Sequence, residues 1–114
     1  MKDDAGRLQD MLEAIQKVES RLDQGHDAFV ADELLQVWAV HHLSIIGEAA
    51  SRLSDALRAG HPEVAWAKIV GMRNVLIHDY VAIDIEIVWL AVERDLPALK
   101  RQIQTILTDL SPHS

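Results

Sequence analysis

The scarcity of chain breakers constrains this sequence most: its 114 residues hold only five glycines and three prolines. Between them, apolar residues recur every third or fourth position, the period of an α-helix, so the chain reads as helices with short connections. Leu8, Leu12, Ile15, Val18 and Leu22 form one stripe and predict a first helix over about 4–22, closed by Gln24-Gly25-His26-Asp27. A second helix is expected from about Phe29 to Ala59, stopped by Gly60-His61-Pro62 and roughly 45 Å long at about 1.5 Å per residue. Its middle, residues 34–50, is apolar on more than one side, which predicts the central helix of a bundle. Gly47 would let a neighbouring helix approach closely, at a cost of about 1 kcal/mol in helix propensity.

A third helix is expected over about 63–78. A fourth starts near Asp84, a suitable N-cap with Glu86 in the first turn, and carries Ile85, Val88, Trp89 and Val92. Pro97 should kink or restart it before a last segment through Leu99, Ile103, Ile106 and Leu107. The β-branched cluster over 81–88 includes Asp84 and Glu86, where a buried strand would not place them. The predicted architecture is therefore all-α: a single domain over 1–114, built as a four- to five-helix, mostly antiparallel bundle.

With no cysteine, disulfides and thiolate chemistry are excluded, in keeping with a reducing cytoplasm. No apolar run approaches the ~20 residues that cross a bilayer, and no signal-peptide pattern opens the chain. The formal net charge is −7, whereas a protein that grips long nucleic acid by its backbone carries a basic surface. Any RNA contact must then be a local cationic pocket, or rely on a second subunit.

The segment Gly71-Met72-Arg73-Asn74-Val75-Leu76-Ile77-His78-Asp79-Tyr80 carries the chemistry. On a helix at about 100° per residue, Trp66, Ile69, Val70, Arg73, Leu76, Ile77 and Tyr80 share an arc of about 120° with Arg73 near its centre. An arginine there is costly unless it snorkels, pairs with a carboxylate or reaches a polar cleft. Glu48 could be its partner, although Glu48 could equally pair with Arg52, four residues on. Arg73 and His78 lie about 140° apart on a regular helix, so they meet at one phosphate only if the helix loosens or a second subunit supplies one of them. Histidine can take a proton from a ribose 2′-hydroxyl or give one to a leaving 5′-oxygen. Guanidinium stabilises the charge that grows on phosphate, and Asn74 adds a side-chain donor and acceptor beside them. This set suits metal-independent RNA cleavage.

The strings IGEAASRL at 46–53, HPEVAW at 61–66, GMRNVLIHDY at 71–80, DIEIVW at 84–89 and DLPAL at 95–99 closely resemble the HepT-like toxins of the HEPN superfamily, over nearly the whole chain. The resemblance implies a HEPN bundle that dimerises so that two Arg-x4-His motifs face a shared cleft. It implies an endoribonuclease toxin with Arg73 and His78 as the catalytic pair, supported by Asn74. It also implies an MntA-like minimal nucleotidyltransferase antitoxin that transfers AMP from ATP to Tyr80. A nucleotide there would add bulk and negative charge beside the arginine. One departure is Ala65 before Trp66, where the family commonly carries proline.

His41-His42 side chains point about 100° apart, and no HxxxH or HExxH spacing exists, so no metal is expected. Trp38, Trp66 and Trp89 lie on apolar faces and read as core or dimer interface. Without a glycine-rich phosphate loop, no nucleotide cofactor is expected in this chain itself. A second reading, from a different class, is a non-catalytic helical partner that docks a nucleotidyltransferase; the acidic charge favours it, and the intact Arg73, His78 and Tyr80 favour the enzyme.

Overall fold

The computed structural model describes residues 3–78 and 84–110, apart from the side chains of 74–78. Helix α1 (Asp4–Arg21) opens on Asp3, whose carboxylate accepts from Gly6 N at 2.8 Å. It buries Leu8, Leu12, Ile15 and Val18 of the expected stripe, with Leu22 just beyond its end, and Met11 beside them. Gly25, at φ +95°, turns the chain into α2 (His26–Ala31), in a left-handed region that glycine enters without steric cost.

The single long second helix is not what forms. The chain divides instead into α2, α3 (Glu33–Ser51) and α4 (Asp55–Gly60). The breaks fall at two side-chain caps: Asp32 accepts from Leu34 N and Leu35 N, and Ser54 Oγ accepts from Leu57 N. Each cap satisfies helix-terminal N–H groups that a continuous helix would have bonded to backbone. The third helix also starts later than expected. Residues 61–65 make a turn closed by Trp66 Nε1 donating to His61 O at 2.9 Å, and α5 runs Trp66–His78.

Helix α3 is central, packed against α1 on one side and α5 on the other, and buries residues around much of its girth. It runs antiparallel to α1: Asp4 meets Ser54 at one end, and the Arg21 guanidinium lies 5.6 Å from the Trp38 ring at the other. Helix α6 (Ile85–Leu90), capped by Asp84, packs its Trp89 on Phe29 of α2. A π-helical segment, Ala91–Asp95, leads into α7 (Leu96–Leu110), where Leu96 N–H donates to Ala91 O. Pro97 explains it: the ring lacks an N–H for the fourth carbonyl back and collides with a regular α turn, which the wider turn relieves. Helix α7 packs on α1. The expected all-α bundle is observed, with no strand among the described residues, and none of its helices is long and apolar enough to cross a membrane.

Candidate functional site

Helices α3 and α5 cross at Gly47 and Arg73. A Cβ built on Gly47 would overlap the Arg73 Cβ and lie 3.1 Å from Ile69 O. Only a glycine lets the two backbones come this near, as its position in the sequence suggested. The close crossing brings Glu48, the next residue, against the guanidinium.

Glu48 resolves the alternatives left by its spacing, because it takes both arginines. Its Oε2 pairs with Arg73 Nε at 2.6 Å and its Oε1 with Arg52 Nε at 2.8 Å. The hydrogen bond from Arg52, with the nearby charge of Arg73, holds the Glu48 carboxyl below the usual carboxylate range. Arg73 is 30% exposed and Glu48 37%, so the pair sits at the edge of the core. The costly arginine of the apolar face is thus a paired one, with Trp66 and Ile69 of the same helix buried beside it.

Helix α5 continues through Asn74 to His78. The side chains of Asn74 and His78 lie outside the described residues, and so does Tyr80. Trp66 and Trp89 belong to the core, as expected, whereas Trp38 is half-buried.

Sequence reasoning missed a cleft of about 480 Å³ between α1 and α3, lined by Arg7, Lys17, His41, His42 and Glu48 among others. His42 is 4% exposed, and neither ring nitrogen has a hydrogen-bond partner among the described residues. Burial, then the charges of His41 and Lys17, push its pKa down. The signal was present in part: His41, Ser44 and Glu48 recur at helical spacing on α3, as do Arg7, Asp10 and Lys17 on α1. Among the described residues, no three His, Asp or Glu side chains converge as they would around a cation.

Residues 11–106 match the family described as Ribonuclease HepT-like. The chain belongs to the HepT-like family. Among curated relatives, a Methanocaldococcus jannaschii protein named "Putative RNase MJ1380" is 33% identical over 100 residues, 87% of this chain and 92% of the relative. "Probable ribonuclease HepT" of Thermococcus cleftensis is 32% identical over 100 residues, covering 87% and 91%. "Putative RNase TTE0752" of Caldanaerobacter subterraneus is 39% identical over 79 residues, covering 69% and 70%. No solved structure matches significantly. The HepT-like match spans α3 and α5, the two helices that carry the Glu48–Arg73 pair.

Proposed function

We propose that this HepT-like chain is a metal-independent endoribonuclease, the toxin of a toxin–antitoxin pair, acting through Arg73 and His78 as a homodimer in the cytoplasm. The observation that carries the reading is Arg73 itself: a guanidinium fixed at the edge of the core by Glu48, five residues before His78 on the same helix. A group positioned in advance stabilises a developing phosphorane charge without reorganising. His78 takes the 2′-hydroxyl proton as that oxygen attacks phosphorus. The P–O5′ bond breaks, and the leaving 5′-oxygen collects a proton. A 2′,3′-cyclic phosphate and a 5′-hydroxyl result. One imidazole cannot be base and acid in the same step, so the second His78 of a dimer supplies the other role.

Tyr80 follows the motif and is the proposed acceptor of AMP from an MntA-like nucleotidyltransferase. The added phosphate places negative charge near Arg73 and competes with RNA for it. The formal charge of −7 supports a second reading, in which the chain docks that enzyme without cutting RNA. Expression of the chain alone and with His78→Ala separates the two. Growth arrest and RNA breakdown that fall by about 10²–10⁴ in the variant support the ribonuclease. Wild type without either effect supports the docking partner.

A further inference from the structure

Helices α2 and α6 lie side by side and point the same way. His26 bonds Glu86 at 2.8 Å, and three residues on Phe29 packs on Trp89, ring centroids 5.5 Å apart. The same register sets Val30 beside Leu90, each one turn beyond the His26–Glu86 contact. Ile87 is one turn before Leu90 on α6. Leu34 and Val37 are one turn apart at the start of α3, where the Gln36 side chain donates to Phe29 O and Val30 O. Leu34 is 80% exposed and Ile87 65%. Among the described residues, these five are all but one of the large apolar side chains that stand exposed; the other, Leu110, closes α7. Scattered single residues of this kind need no explanation, but a gathering from three adjoining helices marks an interaction site.

The charges around this face say what covers it. No lysine or arginine occurs between Arg21 and Arg52, or between Arg73 and Arg94, so α2, α3 and α6 carry none. Asp27 on α2, Asp32 and Glu33 at the start of α3, and Asp84 and Glu86 at the start of α6 are all exposed carboxylates. His26 is already taken up by Glu86 and Asp27. Arg21, set against the Trp38 ring, bounds the face on the α1 side. RNA would bring its phosphates against these carboxylates and be repelled. A second copy laid face to face would set carboxylate against carboxylate, a juxtaposition that disfavours association. A basic protein segment is drawn in by the same charges, while its apolar residues cover the exposed ones.

We infer that the α2/α3/α6 face docks a helix of a partner protein, one with apolar residues at three- and four-residue spacing flanked by lysine or arginine. Its apolar stripe covers Val30, Leu34, Val37, Ile87 and Leu90, and its cations meet the surrounding carboxylates. The inference does not depend on RNA cleavage, and it leaves the proposed homodimer to another surface. The probe is a synthetic helical peptide of about five turns, leucine along one face and lysine on both flanks, added to the full isotope-labelled chain. The expected result is a saturable shift of the amide NMR resonances of those five residues, weaker at high ionic strength. Leu34→Ser and Leu90→Ser each weaken binding by about 10-fold, and Leu110→Ser leaves it unchanged. Both substitutions are at exposed positions, so thermal melts should match the wild type. Two control peptides need no variant: one with the same residues scrambled, and one with glutamate in place of lysine. Each binds the wild type at least about 10-fold more weakly. No saturable shift, shifts confined to other surfaces, or equal binding of either control overturns the proposal. The same shifts produced by a single-stranded oligoribonucleotide overturn it too. Sedimentation of the chain alone tests the remaining occupant. Self-association lost in both Leu34→Ser and Leu90→Ser gives the face to a second copy and overturns the proposal; an unchanged oligomeric state in both supports it.

Discussion

Gly47 and Arg73 stand back to back where α3 crosses α5, so close that a methyl group on Gly47 would occupy the place of the Arg73 Cβ. Alanine is favoured over glycine inside a helix by about 1 kcal/mol, but overpacking costs about 1–3 kcal/mol. Gly47→Ala is therefore expected to lose stability in urea unfolding, by about 1 kcal/mol, and to displace Arg73 enough to lower RNA cleavage. A more stable variant would show that the helices pack less tightly than described.

Glu48 divides its two oxygens between a surface arginine and the proposed catalytic one. Arg52 is 57% exposed, and pairs of that kind contribute about 0–1 kcal/mol. Arg52→Ala should leave both stability and RNA cleavage nearly unchanged. Glu48→Gln should cut kcat/KM by about 10-fold or more through misplacement of Arg73. In a double-mutant cycle with Arg73→Ala the two losses should not add; additive losses would separate Glu48 from the arginine's task.

Two histidines give stability opposite pH dependences. Hydrogen bonds from Glu86 and then Asp27 raise the His26 pKa above 6.5, so the folded state holds its proton more tightly than the unfolded chain. That contribution is complete below pH 6.5 and fades as pH rises through the raised value. Burial lowers the His42 pKa, so its contribution is present above pH 6.5 and is lost as pH falls through the depressed value. Glu86→Gln should lower the melting temperature at about pH 5.5 and leave it unaltered at about pH 9. His42→Phe should flatten the decline below pH 6.5. Equal effects of Glu86→Gln at both ends would contradict the His26 assignment.

Ser54 serves two helices at once. Its Oγ caps α4, while Asp4 at the start of α1 accepts from its N–H at 2.9 Å and its hydroxyl at 2.6 Å. Ser54→Ala should cost about 1–2 kcal/mol in denaturant unfolding. The same bonds lower the Asp4 pKa, so this contribution is present above pH 3.8 and lost as pH falls through the lowered value. Asp4→Asn should reduce the stability lost on acidification.

The sequence was most informative where one stripe ran uninterrupted. Helix α1 starts at Asp4 as expected and ends at Arg21, one residue early, because its apolar period has no competitor. The merger of α2, α3 and α4 into one expected helix has a physical cause. Apolar spacing carries on across Asp32 and Ser54, and a capping side chain inside a polar stripe looks like any solvated residue. Gly47 was readable as a close approach, yet its partner could not be, since spacing gives the face of a helix and not what lies opposite. The same limit hid the α1/α3 cleft: each wall is a modest polar stripe, and only the antiparallel pairing sets Lys17 opposite His41. The Ala65 departure coincides with a start of α5 at Trp66 rather than near Glu63.

The wide turn ahead of Pro97 acts as a phase adjuster. An extra residue in one turn rotates everything before it by about 100° relative to everything after it. Trp89 can therefore pack on Phe29 while α7, with Leu99, Ile103 and Ile106 buried, packs on α1, although both sets lie on what is continuous helix. Removing exposed Glu93 would reset that angle, and one half of the C-terminal helix would have to surrender its seat in the core.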